Sequence, residues 1–174
     1  MSAWRLRPVR LGTDAEAVSA LIVEYLTWAT GRLREEFGVH ESPTDLGSIA
    51  ESLPAFTPPA GVMTVAELDG ELIGVGALRT LEPGVAEVKR MYVSPRSRAR
   101  GLGSALLDSL VADASATLGA GAIRLDTCRF MADAQRLYIS RGFVEREPYE
   151  GTEIPPHLQR YWRFFERDLV PANA

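Results

Sequence analysis

One cysteine, Cys128, and two histidines, His40 and His157, are all that the 174 residues offer of thiolate and imidazole metal ligands. A lone cysteine allows no internal disulfide and suits a reducing compartment. The histidines stand far apart in sequence, with no metal-ligand spacing, so both are read as surface residues and no metal is expected. Cys128 ends an apolar run and has no histidine partner in view, which argues against a nucleophilic role. Long apolar runs are missing too. None approaches the roughly 18 residues of a spanning helix, and Met1 to Arg10 holds no signal-type apolar core, so a cytoplasmic protein with no membrane partner is expected. Positive charge is in the minority. Lys and Arg number 19 against 23 Asp and Glu, a net charge of −4. That balance argues against a chain built to grip nucleic acid, without excluding a local basic patch. No internal repeat and no low-complexity segment interrupts the sequence.

What is present is ordinary globular material, 46% hydrophobic and 24% charged, at a length suited to one domain over residues 1–174. Trp4 to Val9 reads as a strand shortened by Pro8. Thr13-Asp14-Ala15-Glu16 has the form of a capping box. A helical stripe of Val18, Leu21, Ile22, Tyr25, Leu26, Ala29, Leu33 and Phe37 then runs to Gly38, with Gly31 as a kink or break. Trp28, Tyr25 and Phe37 are mostly core by spacing, with one of them free to line a pocket. A loop over His40–Pro43, a short helix over Asp45–Leu53 and an extended linker over Pro54–Gly61 follow. Asp69-Gly70 between Val62–Leu68 and Leu72–Leu78 signals a tight hairpin. Gly74 and Gly76 on its second strand leave room for something to pack close. After a turn at Glu82-Pro83-Gly84 come a central strand, a long helix, a strand over Ile123–Cys128 and a helix over Ala132–Arg141 stopped by Gly142. Phe143–Glu145 starts a strand, Pro148–Pro156 is an irregular loop, and Tyr161–Leu169 is a last strand. The order predicts an α/β fold: a mixed central β-sheet with flanking helices.

The most informative stretch is Ala86 to Leu110. Val88 to Val93 is a β-branched and apolar run stopped by Ser94-Pro95. Arg98, Arg100, Gly101 and Gly103 follow in the pattern R-x-x-G-x-G, and a helical pattern through Leu102, Leu106, Leu107 and Leu110 starts at once. A strand, a basic glycine loop and a helix start make an anion site. The helix N-terminus carries unpaired N–H groups and about half a positive charge, and glycines let the backbone approach a ligand. The order differs from the dinucleotide pattern G-x-G-x-x-G and from the P-loop G-x-x-x-x-G-K-[ST], since Lys89 lies on the wrong side.

That order resembles the pyrophosphate loop of the GNAT superfamily of acetyl-CoA-dependent N-acetyltransferases, [QR]-x-x-G-x-[GA] after a strand ending near proline. The element order is similar over nearly the whole chain. Leu137-Tyr138-x-x-x-Gly142-Phe143 resembles the segment that ends the second cofactor helix of such enzymes. Glu87 to Val93, Leu125-Asp126-Thr127, Ser52 to Gly61 and Pro148-Tyr149 are similar to a bacterial branch whose substrates are mostly unassigned. That branch continues with a polar, Asn-rich piece where this chain has Glu150-Gly151-Thr152, a departure at the acceptor end and not at the cofactor end. The resemblance implies acetyl-CoA as co-substrate, no metal, and a small-molecule or peptide amine as acceptor, on a monomer or homodimer. It implies a cofactor site from Met91, Tyr92, Val93, Arg98, Ala99, Arg100, Gly101, Leu102, Gly103, Ser104, Ala134 and Tyr138. Main-chain N–H near Met91 or Val93 would hold the thioester carbonyl, and Tyr138 would meet the thiolate.

The chemistry sets a further requirement. Attack needs a neutral amine, and a lysine-like amine of pKa about 10.4 is deprotonated at pH 7 at a cost near 4.6 kcal/mol. A carboxylate can collect that proton, directly or through a water. Glu87 is the expected base. Period two puts Glu87, Lys89, Met91 and Val93 on one strand face. Asp126 and Asp133 are expected as caps or polar contacts around the cofactor helix. Two other functions fit the same loop: a non-catalytic acyl-CoA-binding module or sensor, and acetylation of aminoacyl-tRNA, which the acidic composition disfavours.

Overall fold

A computed structural model describes residues 4–41 and 46–169. Part of the expected loop His40–Pro43, and Asp45 at the expected helix start, lie outside the described residues. Eleven elements follow in order: β1 (Arg5–Pro8), α1 (Leu11–Phe37), α2 (Leu46–Ser52), β2 (Gly61–Leu68), β3 (Glu71–Glu82), β4 (Val85–Val93), α3 (Leu102–Ala116), β5 (Ala122–Cys128), α4 (Ala132–Ser140), β6 (Val144–Arg146) and β7 (Trp162–Asp168). The strands form one seven-stranded sheet in the order β1-β2-β3-β4-β5-β7-β6. Every pairing is antiparallel except β4 with β5. The last strand inserts between β5 and β6. No helix of the described residues is long and apolar enough to cross a membrane.

Local chemistry explains most element ends. Asp69 (φ 50) and Gly70 (φ 85) both turn left-handed, which is the twist that a two-residue hairpin between β2 and β3 requires. α1 starts two residues before the expected capping box, at Leu11. Asp14 instead reaches back, accepting the Arg10 main-chain N–H at 2.7 Å and the Arg7 guanidinium at 2.6 Å. Gly31 does not break α1, which runs on from Leu11 to Phe37 with Ala29 and Leu33 buried on either side of it. The expected extended linker is also partly helical. Leu53–Phe56 forms a 3₁₀ turn that buries Leu53 and Phe56.

The helices cover both sheet faces. α1, α2 and the 3₁₀ turn pack Val18, Ile22, Ile49 and Phe56 on Val65, Val75, Ala77 and Tyr92. α3 and α4 pack Leu107, Leu110 and Tyr138 on Val88, Ile123 and Phe165. The close neighbour that Gly74 and Gly76 admit is α3. A Cβ on Gly76 would stand 2.9 Å from Leu110 Cδ1, and one on Gly74 would stand 3.3 Å from Leu106 Cδ1.

Candidate active site

The site begins with an irregularity in β4. The register with β3 shifts between the partners of Val75 and Ala77, and Arg90 at that shift has φ 53. This is a β-bulge, and one extra residue moves every later side chain to the opposite face. Ala86 and Val88 lie with α3 and α4, and so do Met91 and Val93. Glu87 and Lys89 point the other way, and Tyr92 joins the α1 face. The expectation that Glu87, Lys89, Met91 and Val93 share one face is therefore corrected. Period two holds only up to the bulge.

β4 also parts from β5. Their pairing covers Val85–Glu87 against Ala122–Arg124 and then stops. Beyond Glu87 the edge of β4 toward β5 has no strand partner, so main-chain groups there are open to a ligand. Two cavities occupy the gap. One is a cleft of about 600 Å³ at the glycine loop, and the other is a cavity of about 560 Å³ between α1, β4 and β5. Both are lined by Tyr25, Met91, Phe130, Met131, Ala134 and Tyr138, so they meet at those residues.

The cleft collects the expected cofactor residues. Met91, Tyr92, Val93, Arg98, Ala99, Gly101, Leu102, Gly103, Ser104, Ala134 and Tyr138 all line it, and Arg100 does not. Ala99 (φ 62) and Gly101 (φ 73) bend the loop, and Gly101 caps α3 without a side-chain hydrogen bond. The first intrahelical bond runs from Ala105 N–H to the Gly101 carbonyl. The N–H groups of Leu102, Gly103 and Ser104 therefore have no acceptor within the helix. Arg98 donates from Nε to the Val93 carbonyl at 3.1 Å and lies over the rings of Trp28 and Tyr92. Charge, dipole and free donors thus point at one place, as an anion requires. A Cβ on Gly103 would meet only Leu137 Cδ2, at 3.8 Å. Gly103→Val is therefore expected to fold normally while its side chain intrudes on the cleft. Calorimetry should show acetyl-CoA affinity reduced at least tenfold, and unchanged affinity would remove the loop from the cofactor site. Gly101 is the poorer test, because its left-handed φ adds strain of about 1–2 kcal/mol for any other residue.

Tyr138 stands at the junction on α4, 7% exposed. Its ring packs on Phe143 and Phe165 at 6.0 and 6.3 Å between centroids. Its hydroxyl has no hydrogen-bond partner among the described residues. Burial, with Tyr25 and Asp126 nearby, pushes its pKa well above the ordinary phenol value, so it stays protonated. Tyr25, half-buried, is pushed up to about 12, chiefly by desolvation.

Glu87 does not line either cavity. It is 0% exposed, and both carboxylate oxygens are engaged. Oε2 accepts Arg79 Nε at 2.5 Å, while Oε1 accepts the Tyr149 hydroxyl at 2.8 Å and faces Lys89 Nζ at 3.4 Å. Glu87 thus stands behind the cavity lining and not in it. Tyr149, 62 residues away in sequence, seals it from that side. The carboxylates that reach the second cavity are Asp126, Glu153 and Glu41. Lys89 Nζ lies 3.0 Å from Asp126 Oδ2 and 3.3 Å from Glu153 Oε2. Burial draws the Lys89 ammonium down, but Asp126, Glu87 and Glu153 together hold its pKa above the ordinary value. Burial likewise pushes the Glu153 carboxyl up, and Lys89 and Arg79 outweigh it, leaving it below the ordinary range.

The remaining expectations divide. His40 and His157 are exposed. Cys128 is buried, with Sγ 3.3 Å from the Tyr161 carbonyl, and burial pushes its thiol up to about 11. Neither expected cap forms at α4, whose N-cap residue is Met131. Asp126 pairs with Lys89, and exposed Asp133 with Arg136. Sequence reasoning missed Phe130 and Met131 in the cleft wall, and Arg90 and Glu153 in the second cavity. Only the charges on β4, Lys89 and Arg90 in an otherwise apolar run, were a signal for the latter.

The comparisons agree with this fold. The model of the acetyltransferase (GNAT) family matches residues 23–143. An uncharacterized N-acetyltransferase of Schizosaccharomyces pombe is 34% identical over 150 residues, covering 84% of this chain and 86% of that protein. A GNAT-family acetyltransferase from Staphylococcus aureus superposes with a TM-score of 0.76 at 18% identity, covering 97% of this chain and 100% of the other. The PaiA N-acetyltransferase of Thermoplasma acidophilum, solved with coenzyme A, superposes with a TM-score of 0.70 at 17% identity, covering 96% and 99%.

Proposed function

The chain belongs to the acetyltransferase (GNAT) family, and from that premise we propose that this acetyl-CoA-dependent acyltransferase passes the acetyl group directly to a primary amine in a ternary complex. The observation that carries the reading is the junction of the two cavities. Met91, Ala134 and Tyr138 line both, so a thioester entering from the glycine loop and an amine entering from the far cavity meet there.

The loop and the α3 N-terminus take the pyrophosphate of acetyl-CoA. Its pantetheine arm runs along the unpaired edge of β4, where main-chain N–H near Met91 or Val93 holds the carbonyl oxygen. An oxyanion donor of this kind is worth about 3 kcal/mol. The amine loses its proton to Asp126, directly or through a water, because Asp126 is a carboxylate of that cavity and Glu87 is sealed behind it. Glu87 acts as a positioning residue, holding Lys89, Tyr149 and Arg79 in place. Tyr138 donates a hydrogen bond to the departing thiolate. Full proton delivery is uphill, since even an unperturbed phenol is a weaker acid than a thiol by about 1.5 units. No covalent acyl-enzyme is involved, and Cys128, buried and protonated, offers no nucleophile. The reading is tested by screening a library of primary amines with acetyl-CoA and following thiol release. Tight acetyl-CoA binding with no turnover on any amine would favour a sensor instead.

A further inference from the structure

Arg90 is the one cation lining the acceptor cavity, among the described residues, that makes no close ion pair, with Glu153 acting on it only at longer range. Lys89 is matched by Asp126, Glu153 and Glu87, and neighbouring Arg79 by Glu87 and Glu153. Arg90 lies over the Phe56 ring, 5.4 Å from its centroid, and reaches only the Ser52 hydroxyl, at 3.5 Å. Burial lowers its pKa from the ordinary guanidinium value, and the charge of Glu153 offsets this only in part.

Its backbone adds an independent observation. A left-handed φ of 53 on a long L side chain is strained. In a regular strand Lys89 and Arg90 would point to opposite faces. At the bulge both residues line the same cavity. A second cation thus stands at the acceptor cavity, on a strained residue. A guanidinium offers planar paired donors that match a carboxylate. Asp126 and Glu153 supply the opposite charge for an amine, and Leu26, Ala29, Leu33 and Ile49 supply an apolar wall.

We propose that Arg90 anchors a carboxylate of the acceptor, so that the amine acetylated here is one carrying a carboxylate and an apolar body, in the size class of an α-amino acid. This rests on the acetyl-transfer reading of the same site. The test uses L-leucine, L-methionine and L-phenylalanine, each beside its amide and its decarboxylated amine. Thiol release with acetyl-CoA measures turnover, and calorimetry on the CoA-saturated protein measures binding. For at least one side chain the acid should be preferred over its amide about 10²-fold in kcat/KM, the scale of a lost charge-assisted hydrogen-bond pair. Arg90→Gln should abolish that preference by raising KM for the acid, and Arg90→Lys should restore part of it. Acetyl-CoA affinity, measured on each variant, controls for folding. Equal use of acid, amide and amine by the wild type overturns the anchor while keeping acetyl transfer. So does an equal loss for all three in Arg90→Gln, or failure to bind any of the acids. If no amine turns over at all, the transferase reading fails, and carboxylate-dependent binding alone then decides the role of Arg90.

Discussion

Asp126→Asn is expected to lower kcat/KM for the acceptor amine by about 10²- to 10³-fold near pH 7, the scale of general-base catalysis. The loss should shrink toward pH 9 to 10. Near neutrality an amine of pKa about 10.4 is almost wholly protonated, and removing the proton costs about 4.6 kcal/mol. A carboxylate that collects this proton matters most where the amine is charged, and least where the amine is already neutral. Glu87→Gln makes the contrast. Glu87 touches Arg79, Tyr149 and Lys89 but lines neither cavity. Removing one charge from a buried ion-pair cluster typically costs about 3 kcal/mol of stability. Its loss of activity should therefore be uniform across pH and accompanied by a lower Tm. The two profiles decide the assignment. If Glu87→Gln shows the pH-dependent deficit at unchanged Tm, and Asp126→Asn does not, the base is Glu87 and the proton crosses the buried cluster.

Tyr138→Phe is expected to reduce kcat about 10²-fold, with KM for acetyl-CoA little changed. The phenylalanine ring keeps the packing on Phe143 and Phe165. The lost hydroxyl has no hydrogen-bond partner among the described residues, so stability should not fall. On the proposed reading, what disappears is the hydrogen-bond donor to the departing thiolate. Because burial raises the Tyr138 pKa, the hydroxyl stays protonated through the alkaline range, and its contribution should persist there. Single-turnover measurements should show the deficit in the chemical step itself. A variant with the wild-type single-turnover rate would return Tyr138 to a packing role.

The sequence by itself determined the local parts of this protein. Asp69-Gly70 signals its hairpin because only a few residue types adopt two successive positive φ angles. The R-x-x-G-x-G loop signals an anion site because glycine and a helix start carry their chemistry with them. The helical stripe over α1 and the succession of strands and helices along the chain followed from periodicity and turn signals, and the GNAT resemblance added the roles of Tyr138 and the loop. Each of these signals is written within a few consecutive residues.

Tertiary structure alone decided how those parts face one another. The bulge at Arg90 reverses the side-chain alternation of β4, and no residue type near it marks the extra step. Period two therefore placed Met91 and Val93 on the wrong face relative to Glu87. Glu87 is closed off by Tyr149 and Arg79, and Lys89 is tied to Asp126 across 37 residues. β7 enters between β5 and β6 rather than at the sheet edge. Pairings of this kind depend on which buried charges find partners when distant segments pack. That is set by the whole core at once, so a carboxylate on a promising strand could be named from sequence, while its access to the acceptor could not.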